Sequence, residues 1–207
     1  FPYRGGFVFW EQETRAANCY NPPMVLFTGK GDKGKTGLFG CDQRISKSSA
    51  IAEALGSLDE CNSYIGLAKV ALEKNGAKLP DGSSYAAYLH RLQEDLFVIQ
   101  AEMAGTPMST KEERVRDVER VINEIEKSLP PIRTFAIPGG TDASATLDVA
   151  MTLARRAERR VTAVAEEGTR QVGEWTSSYL NRLSSILYAL ARYANHLAGI
   201  KDSNPAY

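Results

Sequence analysis

The sequence predicts an all-α protein: an up-and-down helical bundle of five helices, a four-helix-bundle core plus one, preceded by a Gly-rich loop. Three observations lead there. Apolar residues recur at spacings of three and four over five separate segments of the 207 residues. Segments of about 20–27 residues make helices about 30–40 Å long at 1.5 Å per residue, which must lie side by side. Outside Val25-Leu26-Phe27 the chain offers no strand run from which a parallel sheet could be built.

Taken in order, residues 1–23 are aromatic and closed by Asn21-Pro22-Pro23 without periodicity, and are expected to be an N-terminal tail. Met24 to Cys41 holds five glycines among lysines, which excludes a helix and suggests a loop that is ordered by itself or by a ligand. The first helix is expected from about Ser48 to Lys74, with Ile51, Leu55, Leu58, Ile65 and Leu72 on one side. The second spans about Ser84 to Ala104, through Tyr85, Leu89, Leu92, Leu96, Ile99 and Met103. The third, from about Thr110 to Ser128, carries Val115, Val118, Ile122 and Ile125. It stops at Pro130-Pro131, since proline lacks an N–H and clashes with the preceding turn. The fourth is capped by Asp142 or Ser144 and continues to about Glu166. The fifth runs from about Gly173 to Ala198 through Trp175, Tyr179, Leu183, Ile186, Leu190, Tyr193 and Leu197, with Gly199 as its stop. Residues 24–200 are read as one domain and 201–207 as a C-terminal tail.

Charge narrows the partners. Lys and Arg number 25 against 25 Asp and Glu, so the formal net charge is zero. Nucleic acids and anionic membranes are usually met by a cationic excess, so neither is an expected partner, and any anion site must be local. No run of 18 or more apolar residues suggests a membrane span and no leader pattern opens the sequence, which gives a cytoplasmic expectation. Cys19, Cys41 and Cys61 are odd in number and lack metal spacing, as reduced thiols would be. His90 and His196 are too few for a histidine metal cluster, and His196 suits a helix C-terminus.

Residues 29–36, Gly-Lys-Gly-Asp-Lys-Gly-Lys-Thr, satisfy the P-loop pattern G-x-x-x-x-G-K-T. A P-loop NTPase also needs a helix starting at the Lys-Thr and a parallel sheet, yet Gly37-Leu38-Phe39-Gly40 follows and no sheet is available. The loop's physical content survives that rejection. Its glycines let successive N–H groups face one concavity, and Lys30, Lys33, Lys35, Arg44 and Lys47 against Asp32 and Asp42 give 30–47 a local charge of +3. The choice lies between a solvated loop and a polyphosphate site, and composition favours the second.

A second +3 cluster, Arg155-Arg-Ala-Glu-Arg-Arg160, lies on the fourth helix. Leu147, Ala150, Ala154, Ala157 and Val161 form its apolar stripe, Arg155 and Arg159 share the adjacent flank one turn apart, and Met151 and Glu158 lie at the seam. Two guanidinium forks suit phosphate oxygens, and the carboxylate suits a hydroxyl or a metal ion. The alternative is a solvated charged face. On the fifth helix, Tyr179-Leu-Asn-Arg-Leu-Ser184 and Leu190-Ala-Arg-Tyr-Ala-Asn195 place polar groups within an apolar pattern, where burial demands partners.

Six motifs now stand in order over about 24–199: Thr28-Gly-Lys-Gly-Asp-Lys-Gly-Lys-Thr36, Ala54-Leu-Gly-Ser-Leu-Asp-Glu-Cys-Asn62, Phe135-Ala-Ile-Pro-Gly-Gly-Thr141, Arg155-Arg-Ala-Glu-Arg159, Leu180-Asn-Arg-Leu-Ser184 and Leu190-Ala-Arg-Tyr-Ala194. In these the sequence resembles the PduO-type ATP:cob(I)alamin adenosyltransferases. The resemblance implies a homotrimer of five-helix bundles with active sites at subunit interfaces. There Co(I) of cob(I)alamin would attack the 5′ carbon of ATP, releasing triphosphate, with Mg²⁺ sharing its charge. It implies ATP contacts at Thr28, Gly29, Lys30, Gly31, Thr36, Gly37 and Lys47, completed by Arg155, Arg156, Glu158, Arg159 and Asn181. It further implies a Mg²⁺-linked or ribose contact at Glu158 and an aromatic guard of the lower cobalt face at Phe135. Asp59 would be an acidic group near the corrinoid. A reductase or a corrinoid-accepting mutase would be a transient partner. The chemistry of the residues agrees, because a triphosphate leaving group calls for cations and a corrinoid nucleophile needs no general base.

Two positions depart from the family pattern. Many members have Lys where Gly29 stands, with Lys30 adjacent as a substitute. Several have Arg where Met151 stands, paired with the residue matched by Asp59; Met cannot form that pair, so Asp59 must find another partner or the corrinoid contacts differ. That departure is the support for an alternative function, a low-turnover ATP- or corrinoid-binding carrier or regulatory bundle.

Overall fold

In the computed structural model, which describes residues 26–38 and 43–206, a short hairpin leads into five helices. Strands β1 (Lys35–Gly37) and β2 (Arg44–Ser46) pair antiparallel, with Thr36 opposite Ile45. The helices follow as α1 (Ala50–Lys74), α2 (Tyr85–Ala104), α3 (Glu112–Ser128), α4 (Asp142–Glu166) and α5 (Glu174–Leu197). The expected N-terminal tail 1–23, with Cys19 and also Cys41, lies outside the described residues.

The ends follow local chemistry, and two expected caps shift. Ser49 and Ser84 accept N–H bonds from Ala52 and Ala87, so α1 and α2 begin one or two residues later than the periodicity suggests. At α4 the cap is Thr141, not Asp142 or Ser144. Ser144 is instead the third helical residue, returning a bond to the Thr141 N–H in a capping box. Helix α2 closes on Gly105 at φ +100°, a left-handed conformation that a side chain would oppose.

Cross-helix contacts give the directions. Arg160 and Arg156 of α4 meet Glu53 and Glu60 of α1 in reverse order, and Gln93 and Gln100 of α2 meet the Asn62 carbonyl and Asp59. Both pairs of helices are therefore antiparallel. Glu119 with Arg182 and the Pro130 carbonyl with Arg192 make α3 and α5 parallel. The expected apolar stripes are buried with few exceptions. Leu55, Ile122 and Trp175 are half-buried against the core, and Leu197 is exposed. On α4 the stripe is largely alanine, so α1 approaches closely enough for the Cys61 thiol to reach the Ala150 carbonyl at 3.6 Å. Burial pushes that thiol up to about 12, which leaves Cys61 a packed, unreactive group.

Two buried carboxylates inside the bundle have their partners supplied, whereas Asn62 Oδ1 and the hydroxyls of Tyr88 and Thr110 are buried without a hydrogen-bond partner among the described residues. Buried Asp95 of α2 accepts from Arg114 Nε at 2.8 Å and Nη2 at 2.6 Å and from the Tyr179 hydroxyl at 2.7 Å, joining α2, α3 and α5. Glu102 accepts from the Gly173 N–H at 2.7 Å and from Thr176, anchoring the start of α5. Replacing Asp95 by Ala removes three acceptor contacts and strands a half-exposed arginine. The expected loss in urea unfolding is about 2–4 kcal/mol, below the full range for a buried pair because Arg114 retains water. Asp95→Asn should lose less.

Candidate functional site

Residues 28–34 form the expected glycine-rich loop, a series of turns that leads into the β1–β2 hairpin. Gly29 and Gly34 take φ +66° and +74°, which turn the backbone as a nest of N–H groups requires. Arg44 on β2 closes the turn, its Nη2 donating to the carbonyls of Lys30 at 2.6 Å and Lys35 at 2.8 Å. Lys47, just beyond β2, lies over Gly31, where a Cβ would stand 3.1 Å from its ammonium nitrogen. Thr28 accepts from the Lys30 N–H, and Thr36 and Gly37 lie in β1. Since Lys35 and Thr36 sit in a strand and not at a helix start, the P-loop arrangement is absent here. Among the described residues Lys30, Lys33, Lys35 and Lys47 form no ion pair, neither with Asp32 in the turn nor with any other carboxylate.

On α4 the four arginines divide between two flanks. Arg156 pairs with Glu60 and Arg160 with Glu53, both facing α1. Arg156 thus stands apart from the expected phosphate group, because 100° of rotation from Arg155 carries it to the carboxylates of the neighbouring helix. Arg155 and Arg159 occupy the other flank, exposed. Arg159 donates only to the Arg155 carbonyl at 3.0 Å, and the Arg155 guanidinium has no hydrogen bond or ion pair among the described residues. Half-buried Glu158 accepts from Asn181 Nδ2 at 3.0 Å, and Arg182 donates to Asn181 at 2.8 Å and to Glu119 at 2.9 Å. Its place in an apolar pattern suggests burial, but Asn181 is exposed; the buried polar residues of α5 are Thr176, Ser184, Arg192 and Asn195.

Between α3, α4, α5 and the 129–141 loop opens a cleft of about 510 Å³. Ile122, Ile125, Leu129 and Tyr188 form its apolar wall, and Phe135, Met151 and Arg155 share it. Phe135 stands on the loop 78% exposed, an unusual placement for phenylalanine in a monomer. Asp59 lies elsewhere, on α1, where Gln100 Nε2 donates to it at 2.5 Å. Asp59 therefore has a partner within its own chain, and Met151 faces the cleft.

No hydrogen bond or ion pair among the described residues links the hairpin to the Arg155–Asn181 group. The sequence brings out both sets, but not the clamp by Arg44 or the anchoring of the loop by Asp148, whose Oδ2 accepts the Gly139 N–H at 2.7 Å. Burial, with Asp202 nearby, holds the Asp148 carboxyl above its usual range against the opposing pull of that hydrogen bond. A cluster of three or more metal-ligating side chains does not occur among the described residues, and no helix there is long and apolar enough to cross a membrane.

Fold and groups together define a class: a helical bundle whose unpaired cations suit a phosphorylated ligand and whose cleft suits a large apolar one. The chain belongs to the cobalamin adenosyltransferase family, whose profile matches residues 26–194. It is 37% identical over 183 residues to the corrinoid adenosyltransferase of Bacillus subtilis, covering 86% of this chain and 91% of that one. It is also 37% identical over 180 residues to the corrinoid adenosyltransferase PduO of Citrobacter freundii, covering 84% of this chain and half of that longer protein. Among solved structures it resembles a variant PduO-type ATP:corrinoid adenosyltransferase of Lactobacillus reuteri complexed with cobalamin and ATP. The TM-score is 0.77 and the identity 29%, over 87% of this chain and 96% of that one.

Two outcomes follow for stability. Phe135→Ala should change unfolding free energy by less than about 0.5 kcal/mol, because the ring is mostly in water. Asp148 ionises less readily folded than unfolded, so its contribution declines as pH rises through its raised pKa and stays lost above it. Asp148→Asn keeps an acceptor for Gly139, and its Tm relative to the parent should be higher at neutral pH than in acid.

Proposed function

We propose that the chain transfers the 5′-deoxyadenosyl group of ATP to Co(I) of cob(I)alamin, yielding adenosylcobalamin and triphosphate. The observation that carries this reading is the position of Arg155. Its unpaired guanidinium stands on the rim of the cleft that also presents Phe135, so a phosphate-binding cation adjoins a surface suited to a corrinoid. The family membership and the ATP- and cobalamin-bound relative support it.

In the reaction a cobalt electron pair forms the Co–C5′ bond, the C5′–O bond breaks, and its electrons leave with triphosphate. No side chain needs to remove a proton. The protein's task is to hold the leaving group and to orient the two substrates. The triphosphate would lie in the hairpin, against N–H groups of Gly29, Lys30 and Gly31, with Thr28, Thr36, Gly37 and Lys47 around it. Arg155 and Arg159 would stabilise the charge that grows on the departing oxygen. Glu158, steadied by Asn181, would contact the ribose or hold Mg²⁺; one carboxylate suffices for an ion carried mainly by phosphates, which would neutralise part of their charge. Arg156 would reach ATP only by leaving Glu60. Phe135 would occupy the lower face of the corrinoid, and Asp59 its periphery.

No hydrogen bond or ion pair among the described residues joins the hairpin to the arginine flank, which fits a homotrimer whose sites form between subunits. Exposed Tyr64, Leu67, Val70 and Phe97 on α1 and α2 supply an apolar surface for such contact. A reduced buried thiol at Cys61 fits a cytoplasmic setting. Corrinoid delivery by a reductase, or onward transfer to a mutase, would use the open cleft.

Incubation of the protein with ATP and reduced cobalamin, followed by the absorbance change of Co–C bond formation, tests the activity. Binding without turnover would favour the carrier reading suggested by Met151. Arg155→Ala should lower kcat by about 10²–10³-fold with Tm unchanged, and full activity in that variant would overturn the assignment. Sedimentation should give three times the 22.7 kDa chain mass.

A further inference from the structure

The loop that carries Phe135 is held on both sides of the ring. Ahead of it, the Pro130 carbonyl accepts from Arg192 Nη2 at 3.1 Å. Beyond it, the Ile137 N–H donates to the Ser203 carbonyl at 2.7 Å, the Gly139 N–H to Asp148, and Asn195 bonds both the Gly139 carbonyl and the Thr141 N–H. Between these anchors Ile132, Thr134, Phe135 and Ala136 line the cleft. A ring 78% exposed has little packing to hold it, so the backbone of its loop decides where its Cα–Cβ bond points and which rotamers it can take.

Two of these anchors are one device. Arg192 is only 9% exposed, and its Nε donates to Asp202 Oδ2 at 2.8 Å. A buried guanidinium is tolerated only with a carboxylate and further acceptors, and here the acceptors are Asp202 and Pro130. Ser203, which grips the far side of the loop, is the residue next to Asp202. The ion pair therefore joins the grip before Phe135 to the grip after it, with the C-terminal segment held between Arg192 and the loop as a strap. That segment is beyond residues 26–194, which the family profile matches.

We infer that Arg192 and Asp202 are positioning residues for the transfer reaction: through this strap they fix the Phe135 loop at the angle that places the ring beneath the corrinoid. The inference rests on the reading of Phe135 given above. Asp202 lies outside the lining of the cleft, and Arg192, which contributes to that lining, is buried there with its guanidinium held by Asp202 and the Pro130 carbonyl. Loosening the strap would let the ring sample many directions, which misplaces the corrinoid while the hairpin's hold on ATP stays intact.

The test uses the full chain, a variant ending at Lys201, Asp202→Ala, Asp202→Asn and Phe135→Ala. Each is measured for Tm, ATP KM, kcat and the visible spectrum of bound cob(II)alamin with ATP, whose bands shift when the lower axial nitrogen leaves cobalt. Asp202→Ala and the shortened chain should lose most of the shifted fraction and about 10–100-fold in kcat, with ATP KM within about twofold of the parent. Asp202→Asn, which keeps an acceptor for Arg192, should recover much of both. A full spectral shift in the shortened chain overturns the inference, as does a loss in which ATP KM and Tm worsen in step. If Phe135→Ala abolishes the shift while the strap variants keep it, the strap alone is wrong; if Phe135→Ala itself keeps the shift, the reading of Phe135 fails and the inference with it.

Discussion

The close contact between α1 and α4 governs much of the molecule. Ala150, Ala154 and Ala157 present almost no side chain to α1, so the two helices approach until Cys61 meets a backbone carbonyl. Side chains beside that seam have little freedom of direction. Glu53 and Glu60 fall opposite Arg160 and Arg156, which are thereby neutralised and turned toward α1. Arg155 and Arg159, one residue earlier in each turn, are left on the flank that borders the cleft. Helical geometry around an alanine stripe thus sorts one cationic run into a paired half and an open half.

A second constraint is the need to satisfy buried charge and amide groups. Asp95, Glu102, Arg192 and Asn195 each join elements that are distant in sequence, and each has its partners supplied. Where such a group meets loop backbone rather than another helix, it transmits the rigidity of the bundle outward. Arg192 and Asn195 do so for the segment holding Phe135, while the exposed Arg44 makes comparable backbone contacts within the hairpin. Phe135 is exposed, while Arg192 and Asn195, which hold its loop, are buried. Gly140 shows how tight this is, since a Cβ there would lie 2.3 Å from the Asn195 amide oxygen.

Much of this is legible in the chain. Spacings of three and four mark all five helices, and the alanine stripe of α4 can be read directly. The two cationic clusters stand out because the total charge is zero. Other features resist such reading. The division of Arg155 from Arg156 is visible as a rotation, but which side faces a carboxylate depends on which helix is adjacent. Asn181 and Asn195 have similar apolar neighbours along α5, yet one is exposed beside Glu158 and the other is buried against Gly139. Only the packing of the 129–141 loop over the end of α5 separates them.

By itself the sequence determined the bundle, the composition of the hairpin and the two cationic clusters, because periodicity and charge are local properties of the chain. Tertiary structure decided which cations are free, where Asp59 finds its partner, and that a segment read as a tail grips the loop of Phe135. These outcomes depend on contacts between residues up to about a hundred positions apart, as for Glu60 and Arg156. Pairing of that kind is set by the register of neighbouring helices, for which no short stretch of sequence carries a signal.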